Sequence, residues 1–257
     1  MTSELEFPDL LRLIDERSRA FRSAVSTAAS LDVPVPTCPE WTLLDLVHHL
    51  GEGRRSWAAT VAAGPAATSR VRPPSDGDAA APSEPDALDG WLAASTGQLL
   101  DALREAGPER GCWTWWGDSQ SPGTCGAVAR HQLQEIAVHT YDAQLTVGTP
   151  QPLPDAVALD GVEEFLSTCC ATTSPWPHEP AVVDYAATEG RSWRLWVSAD
   201  GARTAPRPET AGPVDARVTG TASEIVLAAF YGRRPLEALT IEGDREVIDR
   251  LIAWEPE

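Results

Sequence analysis

The sequence contains no lysine, so arginine supplies every strongly basic side chain. Its 20 basic residues are outnumbered by 38 acidic ones, which gives a formal net charge of -18. Binding to nucleic acid requires clustered cations that neutralise phosphates. This charge balance therefore argues against a nucleic-acid partner and against an anionic membrane surface. The acidic residues are spread along the chain rather than gathered in a tail, which favours solubility as their role.

Long apolar runs and paired cysteines are also missing. No run approaches the roughly 20 residues of a membrane-spanning helix, and the acidic N-terminus MTSELEFPDLL lacks a signal-peptide pattern. We therefore expect a cytoplasmic protein, as a monomer or homodimer. The five cysteines include no Cys-x-x-Cys pair, which predicts reduced thiols rather than a disulfide framework. The adjacent Cys169 and Cys170 are predicted to be small buried residues.

The chain is long enough, at 257 residues with 42% apolar content, for two modest domains. We predict a helical bundle over residues 1–150 and an α+β domain over residues 151–257. Apolar residues at helical spacing predict four helices in the first part. Residues 64–86, rich in Pro, Ala, Ser and Gly, predict a loop. The helices are expected from Pro8 to about Ser30, from Thr42 to about Ala63, over 87–106, and from Thr124 to about Val147.

Three prolines over 150–154 mark the predicted domain boundary, and a helix from about Asp155 to Cys170 follows them. After Pro180 the spacing of the apolar residues changes from that of a helix to that of strands. The segments AVVDYAATEG and SWRLWVSADG predict two strands joined by a Glu-Gly turn, and VDARVTG predicts a third. TASEIVLAAFYG predicts an amphipathic helix that ends at Gly232, and DREVIDRLIAW predicts a final helix.

The fourth predicted helix carries a candidate metal-binding pair. Glu135 lies four residues before His139, which puts both side chains on one helix face. Asp142, three residues further on, could hydrogen-bond the far ring nitrogen of a ligand histidine. A solvated Glu–His pair is the alternative, but the apolar neighbours of the pair favour an inward orientation. A carboxylate and an imidazole buried there need each other or a metal.

The second predicted helix offers two adjacent histidines. His48 and His49 point about 100° apart, so at most one of them can join an inward site. His49 shares its face with Leu46 and with the small Gly53, whereas His48 occupies a boundary position. Neither position alone argues for a ligand rather than a structural histidine. His131 and His178 lack a comparable context and are interpreted as structural.

Three segments resemble the mycothiol-dependent maleylpyruvate isomerase family, within the wider DinB-like superfamily. In VPTCPEWTLLDLVHHLGE, a Cys-Pro-x-Trp-Thr turn precedes a helix that carries a His-Leu pair, here His49 and Leu50. CWTWWGDSQSPGTCGAVARHQLQEIAVHTYDAQ is similar to the family's Trp-Thr-Trp-Gly loop and the helix that follows it. The C-terminal VTGTASEIVLAAFYGRRPLEALTIEGDREVIDRL resembles the family's second, sterol-carrier-like domain. On the ligand helix, the matching residues are Arg130, Glu135, His139 and Asp142.

The resemblance implies a DinB-like four-helix bundle followed by a sterol-carrier-like C-terminal domain. It implies His49, Glu135 and His139 as ligands of a divalent metal, typically zinc, with mycothiol as a thiol cosubstrate. Three protein ligands and an open position are the pattern of catalytic zinc sites. Gln134 stands where the family often has a histidine, at a position that is not a ligand. Arg130 is a candidate for substrate binding or for a structural role.

The chemistry that follows is thiol addition to a small electrophile. A thiol with its pKa lowered by the cation would attack an electrophilic carbon, which gives cis-trans isomerisation or S-transfer. Arginines such as Arg130, Arg233 and Arg234 could offset the acidity of the chain towards a di-acid substrate. The tryptophans of residues 113–116 either wall the pocket or close the core. A metal-dependent hydrolase and a non-catalytic binding protein for a small ligand are the alternatives.

Overall fold

The protein has a mixed α+β fold, with a helical N-terminal domain and a C-terminal domain built on a sheet. The computed structural model describes residues 5–73, 81–208, 210 and 212–255. These residues form two compact units. One contains the described residues up to Trp115 together with Gly123–Gln151, and the other contains Trp116–Pro122 and the described residues from Pro152 onward. Among the described residues, no helix is long and apolar enough to cross a membrane.

Four helices form the N-terminal unit, close to the predicted positions. Helix α1 packs against α4, and α2 packs against α3. Helix α1 ends four residues before the predicted Ser30, because the backbone and hydroxyl of Thr27 both donate to the carbonyl of Ala24. Residues 74–80 of the predicted loop lie outside the described residues. The helices are α1 Phe7–Ser26, α2 Leu43–Ala63, α3 Pro85–Ala106 and α4 Cys125–Thr146.

A capping box fixes the start of α2, the helix that carries His49. Thr42 Oγ1 accepts from the Asp45 backbone N–H, while Asp45 Oδ2 accepts from the Thr42 backbone N–H at 2.8 Å. The hydroxyl of Thr42 also lowers the pKa of the Asp45 carboxyl. Further along α2, a Cβ on Gly51 would lie 1.9 Å from a ring carbon of Trp91. Glycine at this position therefore permits the close approach of α2 and α3.

A short antiparallel hairpin, which was not predicted from the sequence, precedes α2. Its strands are β1 Pro34–Val35 and β2 Cys38–Thr42. Strand β1 lies against α4. The hairpin thereby brings Thr37 and Trp41 to α4, the helix that carries Glu135 and His139.

The C-terminal unit is a five-stranded sheet with helices. Helix α5, Asp155–Phe165, continues as a π-helix over Leu166–Cys170, which covers the predicted helix. The strand order is β5-β4-β3-β6-β7, with β3 parallel to β6 and all other neighbours antiparallel. The predicted strands are β3, β4 and β6, whereas β5 and β7 were not predicted. The bounds are β3 Ala181–Ala187, β4 Ser192–Ser198, β5 Gly201–Pro206, β6 Ala216–Gly220 and β7 Thr240–Gly243.

The predicted amphipathic helix before Gly232 has a different internal geometry. It consists of one α-helical turn, α6 Ala222–Glu224, and a π-helix over Ile225–Phe230. The positive φ of 61° at Gly232 then redirects the chain. The last helix, α7 Arg245–Ala253, lies where the sequence predicted it. Cys169 and Cys170 are half-buried rather than buried, which corrects the sequence prediction.

An ionic cluster lies on the sheet of the C-terminal unit. The fully buried carboxylate of Asp184 accepts from Arg194 Nε at 2.6 Å and from Arg207 Nε at 2.8 Å. A third guanidinium, that of Arg217, lies 3.4 Å away. Burial alone would raise the pKa of Asp184, but the hydrogen bonds from Arg194 and Arg207 lower it. Asp184 is therefore held as a carboxylate.

Candidate metal centre and the adjacent cavity

Three polar side chains from two helices converge in the N-terminal unit. His49 comes from α2, and Glu135 and His139 come from α4. Glu135 Oε1 lies 2.9 Å from His49 Nε2 and 3.7 Å from His139 Nε2. One donor atom from each residue lies within 4.8 Å of the other two. We call these three residues the triad.

A buried hydrogen-bond chain orients the imidazole of His139. Its Nδ1–H donates to Asp142 Oδ2 at 2.8 Å, which leaves the Nε2 lone pair facing the triad. The other carboxylate oxygen of Asp142 accepts from Thr37 Oγ1 at 2.6 Å. The Asp142 side chain has no exposed surface. The hairpin residue Thr37 thus acts on His139 through a carboxylate 105 positions away in the sequence.

An aromatic side chain covers one flank of the triad. The ring of Trp41, from β2, lies 4.8 Å from the ring of His49 and 6.3 Å from that of His139, measured between centroids. The two histidine rings are 5.1 Å apart and nearly perpendicular. Trp41 therefore packs against His49 and lies near His139, while the His49 side chain stays 38% exposed.

Glu135 is kept ionised by its neighbours. Burial would raise the pKa of this carboxyl, but the hydrogen bond from His49 and the charges of His139, His49 and His131 lower it to about 2. A carboxylate that is ionised at neutral pH is ready to bind a cation. The alternative given for the sequence pattern was a solvated Glu–His pair. In the structure a third side chain, His49 from another helix, joins Glu135 and His139.

The triad fits a divalent cation by its donor atoms. Two imidazole nitrogens and one carboxylate oxygen are the ligand types of catalytic zinc sites. Ligand atoms about 2.1 Å from a tetrahedral ion lie about 3.4 Å apart. The atoms of His49 and Glu135, now 2.9 Å apart, would therefore separate slightly, and the most distant pair of the triad, within 4.8 Å, would approach by at most about 1.4 Å. The bond from His139 to Asp142 matches the carboxylate–histidine arrangement that accompanies many metal ligands.

A cavity of about 200 Å³ opens beside the triad. It lies between α2 and α4, and His49 and Glu135 form part of its wall. Sequence reasoning missed most of its other residues. The lining consists of His49, Leu50, Gly53, Arg54, Trp57, Arg70, Trp115, His131, Gln132 and Glu135.

The two neighbouring histidines of α2 separate as predicted. His48 Nε2 lies 2.9 Å from the carbonyl oxygen of Pro82, and its ring packs against Trp91 on α3. His49 faces α4, and Gly53 on the same face of α2 lines the cavity. Because residue 53 is glycine, no side chain fills that space.

His131, interpreted as structural from the sequence alone, lies on α4 beside the candidate centre. It lines the cavity, and its ring contacts Trp57 at 6.5 Å and Trp115 at 5.6 Å. The signal for this position was present in the sequence, since His131 precedes Glu135 by four residues as Glu135 precedes His139. By contrast, His178 packs against Trp176 in the C-terminal unit.

The predicted arginines lie elsewhere than the cavity. Arg130 is half-buried on α4 and is not among the described residues that line the cavity. Arg233 and Arg234 belong to the C-terminal unit, where Arg233 donates to the carbonyl of Tyr231 and Arg234 lies 3.8 Å from Glu224. The basic residues on the cavity wall are instead Arg54 and Arg70.

The tryptophan-rich loop contains both a residue of the cavity wall and a buried core residue. Trp115 lines the cavity while remaining 51% exposed. Trp113 is half-buried and packs against Trp57, a residue of the cavity wall, at 6.2 Å between ring centroids. Trp116 is only 3% exposed and donates to the carbonyl of Pro122 within the other unit. The loop therefore supplies both a cavity wall and core aromatics.

Comparison with known proteins gives matches over both parts of the chain. Residues 11–144 match the family model described as the mycothiol maleylpyruvate isomerase N-terminal domain, and residues 156–250 match the MDMPI C-terminal domain. No curated protein matches the chain. A crystal structure of the mycothiol-dependent maleylpyruvate isomerase is 13% identical, covers 93% of both chains and has a TM-score of 0.61. A histidine-to-alanine mutant of that isomerase matches with the same identity and coverage and a TM-score of 0.57.

Proposed function

Because the chain belongs to the mycothiol maleylpyruvate isomerase family, we propose that it is a metal-dependent enzyme that uses mycothiol as a thiol cosubstrate. Its second substrate is a small electrophile, and its reaction is cis-trans isomerisation or S-transfer. The observation that carries this proposal is the convergence of His49, Glu135 and His139 beside a cavity. Zinc is the metal that this set of two imidazoles and one carboxylate favours.

Bound zinc would supply Lewis-acid chemistry, which lowers the pKa of a nearby thiol into the neutral range. The residues of the chain prepare the site for this. Asp142 holds His139 in the tautomer that presents Nε2, and Glu135 stays ionised. Trp41 and Trp115 limit the access of water to the reacting groups.

The cavity gives the electrophile a place next to the activated thiol. With a cis-enedioyl acid, the thiolate adds to one carbon of the double bond, and the remaining single bond rotates. Elimination of the same thiolate then restores the double bond in the trans form, so the thiol is regenerated. With an electrophile that carries a leaving group, the new C–S bond stays and the leaving group departs with its electron pair. Family membership favours the first outcome.

We further propose that the domain boundary lies near residue 150, with the metal chemistry in residues 1–150. The gap between the two family matches, which spans 145–155, supports this position. All three residues of the triad and the whole cavity lining lie within the N-terminal unit. The domain over residues 151–257 contributes the five-stranded sheet.

The test measures turnover and metal content together. Zinc-loaded protein is incubated with maleylpyruvate or another small electrophile, with and without mycothiol. We expect turnover that depends on the thiol and about one equivalent of zinc per chain. Equal turnover without thiol would replace this proposal with the hydrolase alternative. Stoichiometric binding with no turnover of any electrophile would replace it with the binding-protein alternative.

Variants of the triad and a matched control locate the chemistry. Glu135→Gln and His139→Ala each remove one donor, so both should lose zinc and at least about 100-fold in activity. His48→Gln removes the neighbouring imidazole, which faces Pro82 and α3. This control should keep both zinc and activity. Retained zinc in the Glu135 and His139 variants would show that the metal lies elsewhere.

A further inference from the structure

The cavity beside the triad contains a buried cation, Arg54, which has no role in the proposed chemistry. Arg54 follows His49 on α2, lines the same cavity and is only 3% exposed. Its Nη1 donates to Thr96 Oγ1 on α3. Its Nη2 is also buried, and among the described residues it has no hydrogen-bond acceptor. A buried guanidinium donor without an acceptor is costly unless a ligand completes the site.

A second guanidinium lies at the same cavity. Arg70 is exposed, and its position is fixed by a hydrogen bond from Nε to Ser56 Oγ at 2.9 Å. Its guanidinium also lies 5.6 Å from the ring centroid of Trp57, within the range of a cation–π contact. These contacts hold a second positive charge at the cavity without neutralising it.

The charge balance of the cavity is opposite to that of the chain. The protein carries a net charge of -18, yet Glu135 is the one carboxylate among the described residues that line this cavity. That carboxylate lies 2.9 Å from His49 Nε2 and also interacts electrostatically with Arg54 and Arg70, so it offsets one of their two positive charges. Two arginines on the wall therefore leave a net positive environment, which suits an anionic group of a ligand.

We propose that Arg54 and Arg70 form a carboxylate-binding subsite that holds the acidic end of the electrophile next to the triad. Arginine presents paired N–H donors that match a carboxylate, and no described residue accepts a hydrogen bond from Arg54 Nη2. The cavity of about 200 Å³ is smaller than the roughly 300–1,000 Å³ of drug-sized sites. Its volume suits a small ligand, and the two guanidinium groups favour an acidic one. The identification of that acid as the reacting electrophile rests on the proposed function.

Binding of a small acid tests the subsite without any turnover. Maleate is titrated calorimetrically into the zinc-loaded protein in the absence of thiol, with dimethyl maleate and inorganic phosphate as comparison ligands. Maleate should bind more tightly than either. Tighter binding of phosphate, or equal binding of the uncharged diester, would overturn the assignment of a carboxylate subsite.

The variants separate the cavity arginine from its neighbour. Arg54→Gln should weaken maleate binding by about 10- to 100-fold, the range for a hydrogen bond to a charged group. Arg55→Gln removes the same charge one residue away, where Arg55 Nε donates to Ser95 Oγ and the guanidinium lies over Trp91. That control should bind maleate within about 2-fold of the wild type. Equal affinity in all three proteins would overturn the proposal.

The exposed position of Arg70 keeps the test valid if Arg54→Gln does not fold. Arg70→Gln changes a surface side chain, so the variant is expected to fold, and circular dichroism checks this. It should weaken maleate binding by about 3- to 10-fold, as expected for a more solvated ion pair. An unfolded Arg54→Gln combined with unchanged maleate binding in Arg70→Gln would overturn the proposal.

Kinetics link the subsite to the reaction. With mycothiol, Arg54→Gln should raise the KM for an acidic electrophile about 10-fold or more and leave an uncharged maleimide within about 2-fold. An equal loss for both electrophiles would show a general structural role and overturn the subsite. Absence of thiol-dependent turnover with every electrophile would instead refute the proposed function. The maleate affinities would still decide the subsite in that case.

Discussion

Replacement of Asp142 by Asn tests how the protein prepares His139 for metal binding. The carboxylate of Asp142 has no exposed surface and accepts two hydrogen bonds, from His139 Nδ1–H and from Thr37 Oγ1–H. Asn has nearly the same volume but lacks the charge and offers only one acceptor oxygen. One of the two donors therefore loses its acceptor, and His139 loses the negative charge that favours its metal-binding tautomer.

The expected loss of zinc affinity follows from the position of Asp142 next to His139, the proposed ligand. Loss of a hydrogen-bonded carboxylate behind a ligand histidine typically lowers metal affinity by about 10- to 100-fold. This factor corresponds to about 1.4–2.7 kcal/mol of binding free energy. A buried donor without its acceptor should also reduce the free energy of unfolding of the metal-free protein by about 1–3 kcal/mol.

The assay is competition for zinc against a chromogenic chelator at constant pH. Thr37→Val is the matched control, because it removes the hydroxyl from Asp142 but keeps the 2.8 Å bond between Asp142 and His139. We expect its zinc affinity to stay within about 3-fold of the wild type, since the ligand keeps its orienting carboxylate. If Asp142→Asn bound zinc as tightly as the wild type, the orienting role of Asp142 would be refuted.

Three further predictions concern packing, pH and thiol reactivity. Gly51→Ala should lower the free energy of unfolding by about 1–3 kcal/mol in denaturant titrations, because its Cβ would collide with Trp91; an unchanged midpoint would contradict this packing. Asp184 has a depressed pKa in the folded state, so its stabilisation is present above its ordinary pKa of 3.8 and is lost as pH falls below that value. In hydrogen exchange, the sheet amides of the wild type should be better protected than those of Asp184→Asn. This difference should shrink below about pH 3.8, and a difference that stayed constant would contradict the predicted pH dependence. Burial raises the pKa of the Cys112 thiol to about 12 and also raises that of Cys125, so iodoacetamide at neutral pH should label both, as seen by mass spectrometry, only after denaturation.

The sequence predicted the helices of the bundle because local signals mark them. Thr42 and Asp45 form a capping box at the start of α2, and Thr124 caps α4. The helical spacing of Glu135 and His139 likewise indicated a shared face. The convergence of His49 with this pair depends on how α2 and α4 pack, which helical periodicity does not encode. The family resemblance supplied that third residue.

The cavity could not be predicted in the same way. Arg54 stands next to Arg55 in the sequence, and nothing local distinguishes the buried guanidinium from its neighbour. Arg70 belongs to a segment that the sequence marked only as a loop. In the C-terminal domain, β5 contains Gly and Pro and β7 has four residues, so neither shows the alternation of a strand. Both strands form because each pairs with a longer neighbouring strand, β5 with β4 and β7 with β6.

The ligands of the candidate centre come from helices that are far apart along the chain, with 86 positions between His49 and Glu135. An ion held by both helices binds the docked bundle and has little affinity for the separated helices. By mass action, free zinc at 100 times its dissociation constant would then stabilise this unit by about 2.7 kcal/mol. The melting temperature should rise with zinc supply, so scarcity of the ion in a cell would lower the amount of folded enzyme as well as its activity.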